Sequence, residues 1–357
     1  MKILHSADWH LDSPIVGRTA EQTALLKAAL LEIPHKIAAA ARAERCDLML
    51  LSGDIFDGPH TPESLKAVKD SLDEVSIPVF ITPGNHDYLS PGSPWLTESW
   101  PENVHIFTCA AMEGIAVPGL DCQVYGAAFT GPSAPALLDG FRADGGERFA
   151  VGILHGDPTQ TASPYCPVTA EQIRFSGLHY LALGHIHKGD HLTAGGTLCA
   201  WPGCPMGRGF DELENKGVLI VTLDDHGCQT RFLPLDTPRF FDLSCEPGTD
   251  AKAAIAQLLP AAGNQDFYRI TLVGESEPLD TALLEKQFPH FPNLQLRDRT
   301  QRPVDLWASA GDDTLEGVYF RLLQEQLENA DGETREQILL AARISRQILE
   351  NREVKLP

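Results

Sequence analysis

Residues 1–12 read MKILHSADWHLD, and residues 47–57 read DLMLLSGDIFD. In each stretch a short apolar run ends at a polar turn that carries aspartate. The uninterrupted run Asp47–Ser52 is typical of a strand that is buried on both faces of a sheet. The same order, an apolar run and then a polar turn, recurs at Ile77–Thr82, Phe149–Leu154 and Leu178–Leu183. The sequence therefore predicts strands whose ends present chemically active side chains.

Stretches with helical spacing lie between the first three of these apolar runs. Thr19–Arg45 is rich in alanine and leucine at that spacing, and Thr61–Val75 has Pro62 just inside its start. Strand and helix signals that alternate in this way predict an α/β fold, in which a mixed sheet or two stacked sheets carry helices outside.

The pattern also predicts how the chain is divided. Residues 1–235 contain the strand and turn clusters, and a boundary falls near Pro234–Pro247. Helix and strand signals then restart and predict a small domain over residues 240–300. Residues 314–353 predict two charged amphipathic helices, split near Ala330–Gly332, whose apolar positions require a partner surface.

Composition sets limits on the function. The 357 residues include 49 acidic and 28 basic ones, so the formal charge is −21, and 43% of residues are hydrophobic. That mix excludes a disordered or fibrous chain, and such an acidic surface does not hold nucleic acid through bulk charge. The eight cysteines form no CxxC pair, which indicates reduced thiols in a cytoplasmic protein. We find no export signal and no membrane-spanning run in the sequence.

Residue types that bind metal ions cluster at the ends of the predicted strands. Five clusters carry them: Asp8-Trp9-His10, Gly53–Asp57, Gly84–Asp87, His155–Asp157 and Gly184–His187. Their donors are the carboxylates Asp8 and Asp54, the amide of Asn85, and the imidazoles His10, His155, His185 and His187. Seven nitrogen and oxygen donors are too many for one tetrahedral ion and suit two ions bridged by a carboxylate. The lack of a thiolate argues against a structural zinc site.

The ordered set DxH, GDxxD, GNHD, H and GHxH resembles the calcineurin-like metallophosphoesterase superfamily, over residues 1 to about 235. Within it the chain resembles the SbcD/YhaO-type DNA repair exonucleases, bacterial counterparts of the Mre nuclease. The residues that carry this resemblance are His5–Asp12 and Pro202–Phe210. The resemblance implies a four-layer α/β/β/α sandwich with a small α+β capping domain and a helical C-terminal tail.

The resemblance also implies roles for the donors. Asp8, His10, Asp54 and His187 would hold a first ion. Asp54, Asn85, His155 and His185 would hold a second, with Asp54 as the bridge. Family members commonly use manganese, and this donor set also permits iron or zinc.

His86 is predicted to be a catalytic residue. It lies between Asn85 and Asp87, so a turn would direct it toward the substrate, where it would protonate the leaving oxygen or steady the transferring phosphoryl group. Its alternatives are a further metal ligand or a structural turn residue. Asp57 is the predicted orienting carboxylate, with Asp87 as the second candidate, although Asp57 would also suit a helix cap. Arg208 is a candidate substrate-binding residue, or an ordinary surface arginine.

We interpret the chain as a metal-dependent DNA exonuclease or endonuclease of DNA repair and recombination. It would hydrolyse phosphodiester bonds with a hydroxide that bridges two metal ions. The alternatives are a small-molecule phosphodiesterase or phosphoprotein phosphatase of the same superfamily, and a scaffold that has lost its chemistry. The implied partners are DNA and an SbcC/Rad-type coiled-coil ATPase bound by the C-terminal helices. Those helices would also suit a homodimer or a fold back onto the core.

Overall fold

A computed structural model describes residues 1–213, 215–303 and 305–349. The strands are β1 (Lys2–Ser6), β2 (Leu48–Leu51), β3 (Val79–Ile81), β4 (Val104–Ile106), β5 (Glu113–Val117), β6 (Cys122–Gly126), β7 (Phe149–His155), β8 (Tyr180–Gly184), β9 (Lys188–Ala194), β10 (Thr197–Gly203), β11 (Gly217–Asp224), β12 (Gly227–Pro234), β13 (Phe240–Cys245), β14 (Phe267–Leu272) and β15 (Leu294–Asp298). The helices are α1 (Ala20–Leu31), α2 (Ile33–Glu44), α3 (Pro62–Asp73), α4 (Pro94–Thr97), α5 (Ala170–Phe175), α6 (Ala251–Leu258), α7 (Thr281–Glu285), α8 (Leu315–Glu328) and α9 (Gly332–Leu349).

The central strands of the first sheet are covered on both faces, which is why they are uninterrupted apolar runs. The order of this sheet is β12-β11-β1-β2-β3-β4. Strands β1 to β4 run parallel to one another, and β11 and β12 are antiparallel to their neighbours. Met49 and Leu51 belong to the same apolar cluster as residues of helices α1 to α3. Leu48 and Leu50, which alternate with them, instead join residues of the second sheet. Both faces of β2 are therefore buried, as the apolar run predicts.

The second sheet has the order β5-β6-β7-β8-β10-β9. Strands β6, β7, β8 and β10 run parallel to one another, and the edge strands β5 and β9 are antiparallel to them. One face carries Val151 and Ile153 into the cluster between the sheets. The other face carries Leu154 and Leu181 into a third cluster with Ile173 of α5. The layers are thus helix, sheet, sheet, helix, and the predicted α/β/β/α fold class is confirmed.

Helical spacing over Thr19–Arg45 gives two helices, α1 and α2. Pro34 lies in the first turn of α2. Proline has no backbone N–H to donate, and its ring would clash with a preceding carbonyl inside a continuous helix. The helix therefore ends before Pro34 and a new one starts around it.

The chain divides into two compact units. One comprises residues 1–242, 263–269 and 290–294, and the other comprises 243–262, 270–289 and 295–357. A third sheet has the order β13-β14-β15. In the tail, α8 and α9 are separated at residues 329–331. The predicted tail boundary at Glu353 lies outside the described residues, and the predicted domain boundaries stay predictions.

Among the helices that the structure describes, we find none with the length and apolar character needed to cross a membrane.

Candidate metal centre

The predicted donors lie where strands end. Asp8 and His10 follow β1, Asp54 follows β2, and Asn85 follows β3. In the second sheet His155 is the last residue of β7, while His185 and His187 follow β8. Because the carboxyl ends of parallel strands meet at one edge of a sheet, each sheet gathers its donors at one edge. The structure brings all seven predicted donors together.

The turns that carry these donors adopt an uncommon backbone conformation. Asp8 (φ 55°), His10 (φ 47°), Asp54 (φ 51°) and His185 (φ 96°) all have positive φ. Two hydrogen bonds join the turn after β1 to the turn after β2. The Asp8 amide donates to the Gly53 carbonyl (3.0 Å), and the His10 amide donates to the Asp54 carbonyl (2.9 Å). A non-glycine residue in this region carries strain, which persists where the surrounding structure fixes it and is concentrated at functional sites.

One group of donors surrounds His10. Its Nε2 lies 3.0 Å from Nε2 of His187 and 3.7 Å from Oδ2 of Asp54. Asp8, His10 and His187 each offer a ligand atom, and these atoms lie within 4.8 Å of one another. Asp8 is fixed because both of its carboxylate oxygens accept the His185 amide, at 2.9 and 3.1 Å.

A second group surrounds Asn85. Its Oδ1 lies 2.9 Å from Nε2 of His155 and 3.2 Å from Nδ1 of His185. Nε2 of His155 also lies 3.4 Å from Oδ2 of Asp54. The same Asp54 oxygen is thus near donors of both groups, which is the position that a bridging ligand requires.

The hydrogen bonds of two imidazoles decide which ring nitrogens are free to bind an ion. Nδ1 of His155 donates to the Ser52 carbonyl (2.9 Å), and Nδ1 of His187 donates to Glu212 (2.6 Å). In both rings Nε2 is left with its lone pair directed into the site. The Nε2 lone pair of His155 faces the amide oxygen of Asn85, another lone-pair donor. A cation held by both atoms resolves that contact.

The electrostatics of the site also fit divalent cations. Burial lowers the pKa of His10 to about 4 and that of His155 to about 3, so both rings are neutral ligands at neutral pH. Burial raises the pKa of Asp8 to about 7, which reflects a carboxylate without enough neighbouring positive charge. Neutral imidazoles beside a buried carboxylate whose charge is only partly compensated are groups that divalent ions stabilise.

Gly84 leaves room for Asp54, and this gives a first prediction. A Cβ at Gly84 would overlap Oδ1 of Asp54 and lie 2.7 Å from its backbone nitrogen. We therefore expect Gly84→Ala to displace the Asp54 carboxylate and, if Asp54 contacts both ions, to weaken binding of both by at least about tenfold. Metal content after gel filtration measures this. Gly92→Ala is the matched control, because no atom lies within 4 Å of a Cβ there, and equal metal content in the two variants would contradict the prediction.

His86 lies at the exposed rim of the centre. Its side chain is 46% exposed, and its Nδ1 lies 2.5 Å from Oδ1 of Asp57. Its amide donates to Asp54 Oδ1 at 2.9 Å. The imidazoles of His10 and His86 hold the pKa of Asp57 at about 2. A ring nitrogen of His86 also lies within 4.8 Å of ligand atoms of His10 and Asp54, so the geometry keeps the alternative of a further ligand.

Asp87, the second candidate for orienting His86, serves the turn itself. Its carboxylate accepts the amides of Gly84 (2.7 Å), Ile55 (2.9 Å) and Phe56 (3.3 Å). These contacts tie the turn after β3 to the turn after β2. Asp57 is therefore the carboxylate that contacts the His86 ring.

Arg208 contacts Glu212, a residue that no motif of the sequence singles out. Its Nε and Nη2 donate to Glu212, at 3.3 and 2.8 Å, and its backbone amide also donates to Glu212, at 2.8 Å. Burial alone would raise the pKa of Glu212, but hydrogen bonds from His187 and Arg208 lower it well below its ordinary value. Glu212 lies 25 residues beyond His187 in a loop without a strand or helix pattern, so no periodicity signals it.

Comparisons with known proteins identify the family of the chain. A family model described as calcineurin-like phosphoesterase matches residues 1–189. The chain is 34% identical over 244 residues to the uncharacterized metallophosphoesterase YhaO of Bacillus subtilis, covering 62% of this chain and 57% of that one. It is 27% identical over 271 residues to the SbcD component of the SbcCD nuclease of B. subtilis, covering 62% and 66%. It is 23% identical over 335 residues to the SbcD component of the SbcCD nuclease of Staphylococcus epidermidis, covering 82% and 84%.

The first two of these relatives are thus matched over less than two thirds of their own length. The family model, by contrast, covers just over half of the 357 residues. Its range includes β1, β2, β3, β7 and β8 and every one of the seven donors at their ends. With two stacked sheets and Asp and His groups positioned for a dinuclear metal site, the chain belongs to the calcineurin-like phosphoesterase family.

Proposed function

We propose that this protein is a metal-dependent nuclease that hydrolyses phosphodiester bonds of DNA in repair and recombination. The observation that carries the proposal is the dinuclear donor set with the His86–Asp57 pair at its exposed rim. The choice of DNA is supported by the relative from S. epidermidis, whose alignment covers 82% of this chain and so extends well past residue 189.

In this proposal Asp8, His10, Asp54 and His187 hold one ion, and Asp54, Asn85, His155 and His185 hold the other. Manganese is the expected metal, and iron and zinc also suit these nitrogen and oxygen donors. When bound, two divalent ions polarise the phosphoryl oxygens and activate water for attack on phosphorus. They also add four positive charges to a chain whose formal charge is −21, which favours a polyanionic substrate.

The protein's own residues complete the reaction. A bond forms between water and phosphorus as the bond from phosphorus to the ester oxygen breaks. His86 gives a proton to that leaving oxygen, while Asp57 accepts the Nδ1–H and fixes the ring orientation. Because the His86 side chain is 46% exposed, a bound DNA strand can reach it.

The proposal includes a partner and a location. Helices α8 and α9 expose Leu315 (89%), Leu322 (52%) and Ile348 (58%), which supports docking on a coiled-coil ATPase, with a homodimer as the alternative occupant. The two SbcD relatives are, by their names, components of a larger SbcCD nuclease. All eight cysteines are free thiols, which supports a cytoplasmic location.

The second candidate function is a small-molecule phosphodiesterase or phosphoprotein phosphatase, which the same metal centre also supports. To separate the two, we would supply Mn²⁺ and compare linear duplex and single-stranded DNA with a bis-aryl phosphodiester. We expect nucleotide release from DNA, with kcat/KM at least about 100-fold above that for the aryl ester, since remote binding energy accelerates only the larger substrate. If only the aryl ester is cleaved, even with a coiled-coil ATPase added, the nuclease proposal fails.

A further inference from the structure

Glu212 connects the metal centre to a buried arginine. Its side chain is only 7% exposed, and its Oε1 accepts Nδ1–H of His187 at 2.6 Å. The other ring nitrogen of His187, Nε2, lies 3.0 Å from Nε2 of His10. One hydrogen bond to Glu212 therefore fixes which nitrogen of His187 bears the proton and where the other one points.

Arg208 in turn holds Glu212. The guanidinium donates from Nε to Oε2 and from Nη2 to Oε1, and the Arg208 amide adds a third bond to Oε2. A forked arginine and carboxylate pair has little rotational freedom. The Glu212 carboxylate is thus immobilised before any ion binds, and it directs negative charge at the His187 ring.

Such a carboxylate changes the ligand in two ways. It selects the tautomer with a free Nε2, and it makes that nitrogen more basic by stabilising positive charge on the ring. A histidine without this contact would spend part of its time with the proton on Nε2, where it cannot bind a cation.

We propose that Glu212, held by Arg208, is the positioning residue for His187 and sets the affinity of the ion that His187 binds. This rests on the proposed metal-dependent function. Arg208 acts by fixing Glu212, and its Nη2 also lies 3.3 Å from Nδ1 of His187. Its forked donors are thus engaged within the protein before substrate arrives.

The test measures ion binding rather than turnover. Full-length protein is titrated with Mn²⁺ while free Mn²⁺ is followed by electron paramagnetic resonance. We expect Glu212→Ala to bind one of the two ions about 10- to 100-fold more weakly and the other with unchanged affinity. Glu212→Gln keeps an oxygen that accepts the Nδ1–H but loses the charge, and it should lie between the wild type and Glu212→Ala.

A matched control is available elsewhere in the same unit. Asp266 is also 7% exposed, and Arg239 donates to it from Nη2 at 2.6 Å, from Nε at 3.1 Å and from its backbone amide at 2.9 Å. Asp266→Ala should lower the thermal unfolding temperature as much as Glu212→Ala but leave both Mn²⁺ affinities unchanged. If folded Glu212→Ala binds both ions as the wild type does, this inference is wrong. If the wild type itself binds no pair of ions, the proposed function fails instead.

Discussion

Replacing Asp54 with Asn is expected to lower kcat/KM by on the order of 10⁴-fold, because the substitution removes the charge that both ions share. Asp54 Oδ2 lies 3.7 Å from His10 Nε2 and 3.4 Å from His155 Nε2. Single replacement of His10 or His155 removes a donor from one group only. Asp54→Asn should therefore lower the occupancy of both sites, measured as metal ions per chain by mass spectrometry after gel filtration.

The same variant should be no less stable than the wild type when metal is absent. Asp54 is 2% exposed. Burial raises the pKa of Asp8 and the nearby Asp54 carboxylate raises it further, so without ions the two carboxylates repel each other. Removing one charge relieves that repulsion. In chelator, the thermal unfolding temperature of Asp54→Asn should equal or exceed that of the wild type, and with Mn²⁺ added the order should reverse.

Asp266→Asn is the control for loss of a buried carboxylate, since that residue is engaged by Arg239. It should keep both ions and full turnover. Retention of two ions and most of the activity by Asp54→Asn would show that another residue bridges the ions and would overturn this assignment of the ligands.

The arrangement of the donors follows from the sequence because each one directly ends a strand-like run. Apolar runs at β1, β2 and β3 predict parallel neighbours, and parallel neighbours bring their carboxyl ends to one edge. Asp8, Asp54 and Asn85 therefore meet without further information. Asp57 is predicted for a different reason, since a catalytic histidine needs a carboxylate to orient its ring and Asp57 lies three residues beyond Asp54. The structure places Asp57 Oδ1 2.5 Å from Nδ1 of His86, and the orienting role stays a prediction.

Features that depend on tertiary pairing were not predicted. Strand β9 reads KGDHLTA and exposes most of its side chains, so it has no apolar run. It is a strand because it lies at the edge of the second sheet, where it pairs with β10. Glu212 was missed for a similar reason: its contact with His187 joins two residues through a loop whose path the local sequence does not determine.

Replacing His86 with Asn should lower turnover by about 10²- to 10⁴-fold while both ions stay bound, since the residue supplies a proton and not a ligand. The size of the loss should depend on the leaving group. With a bis(nitrophenyl) phosphodiester as the bis-aryl ester, the nitrophenolate leaves without needing a proton. That ester should therefore be far less affected than DNA, whose alkoxide leaving group needs one. Asp57→Asn should show the same dependence with a smaller loss, because it leaves the proton donor in place and disturbs the orientation of the His86 ring. Asp57 Oδ1 also lies 3.6 Å from Nδ1 of His10, so metal content is measured for this variant as well. An equal loss of turnover on both substrates would contradict the proposal that His86 is the proton donor. Loss of an ion from His86→Asn would instead make His86 a ligand, as its ring nitrogen within 4.8 Å of ligand atoms of His10 and Asp54 permits.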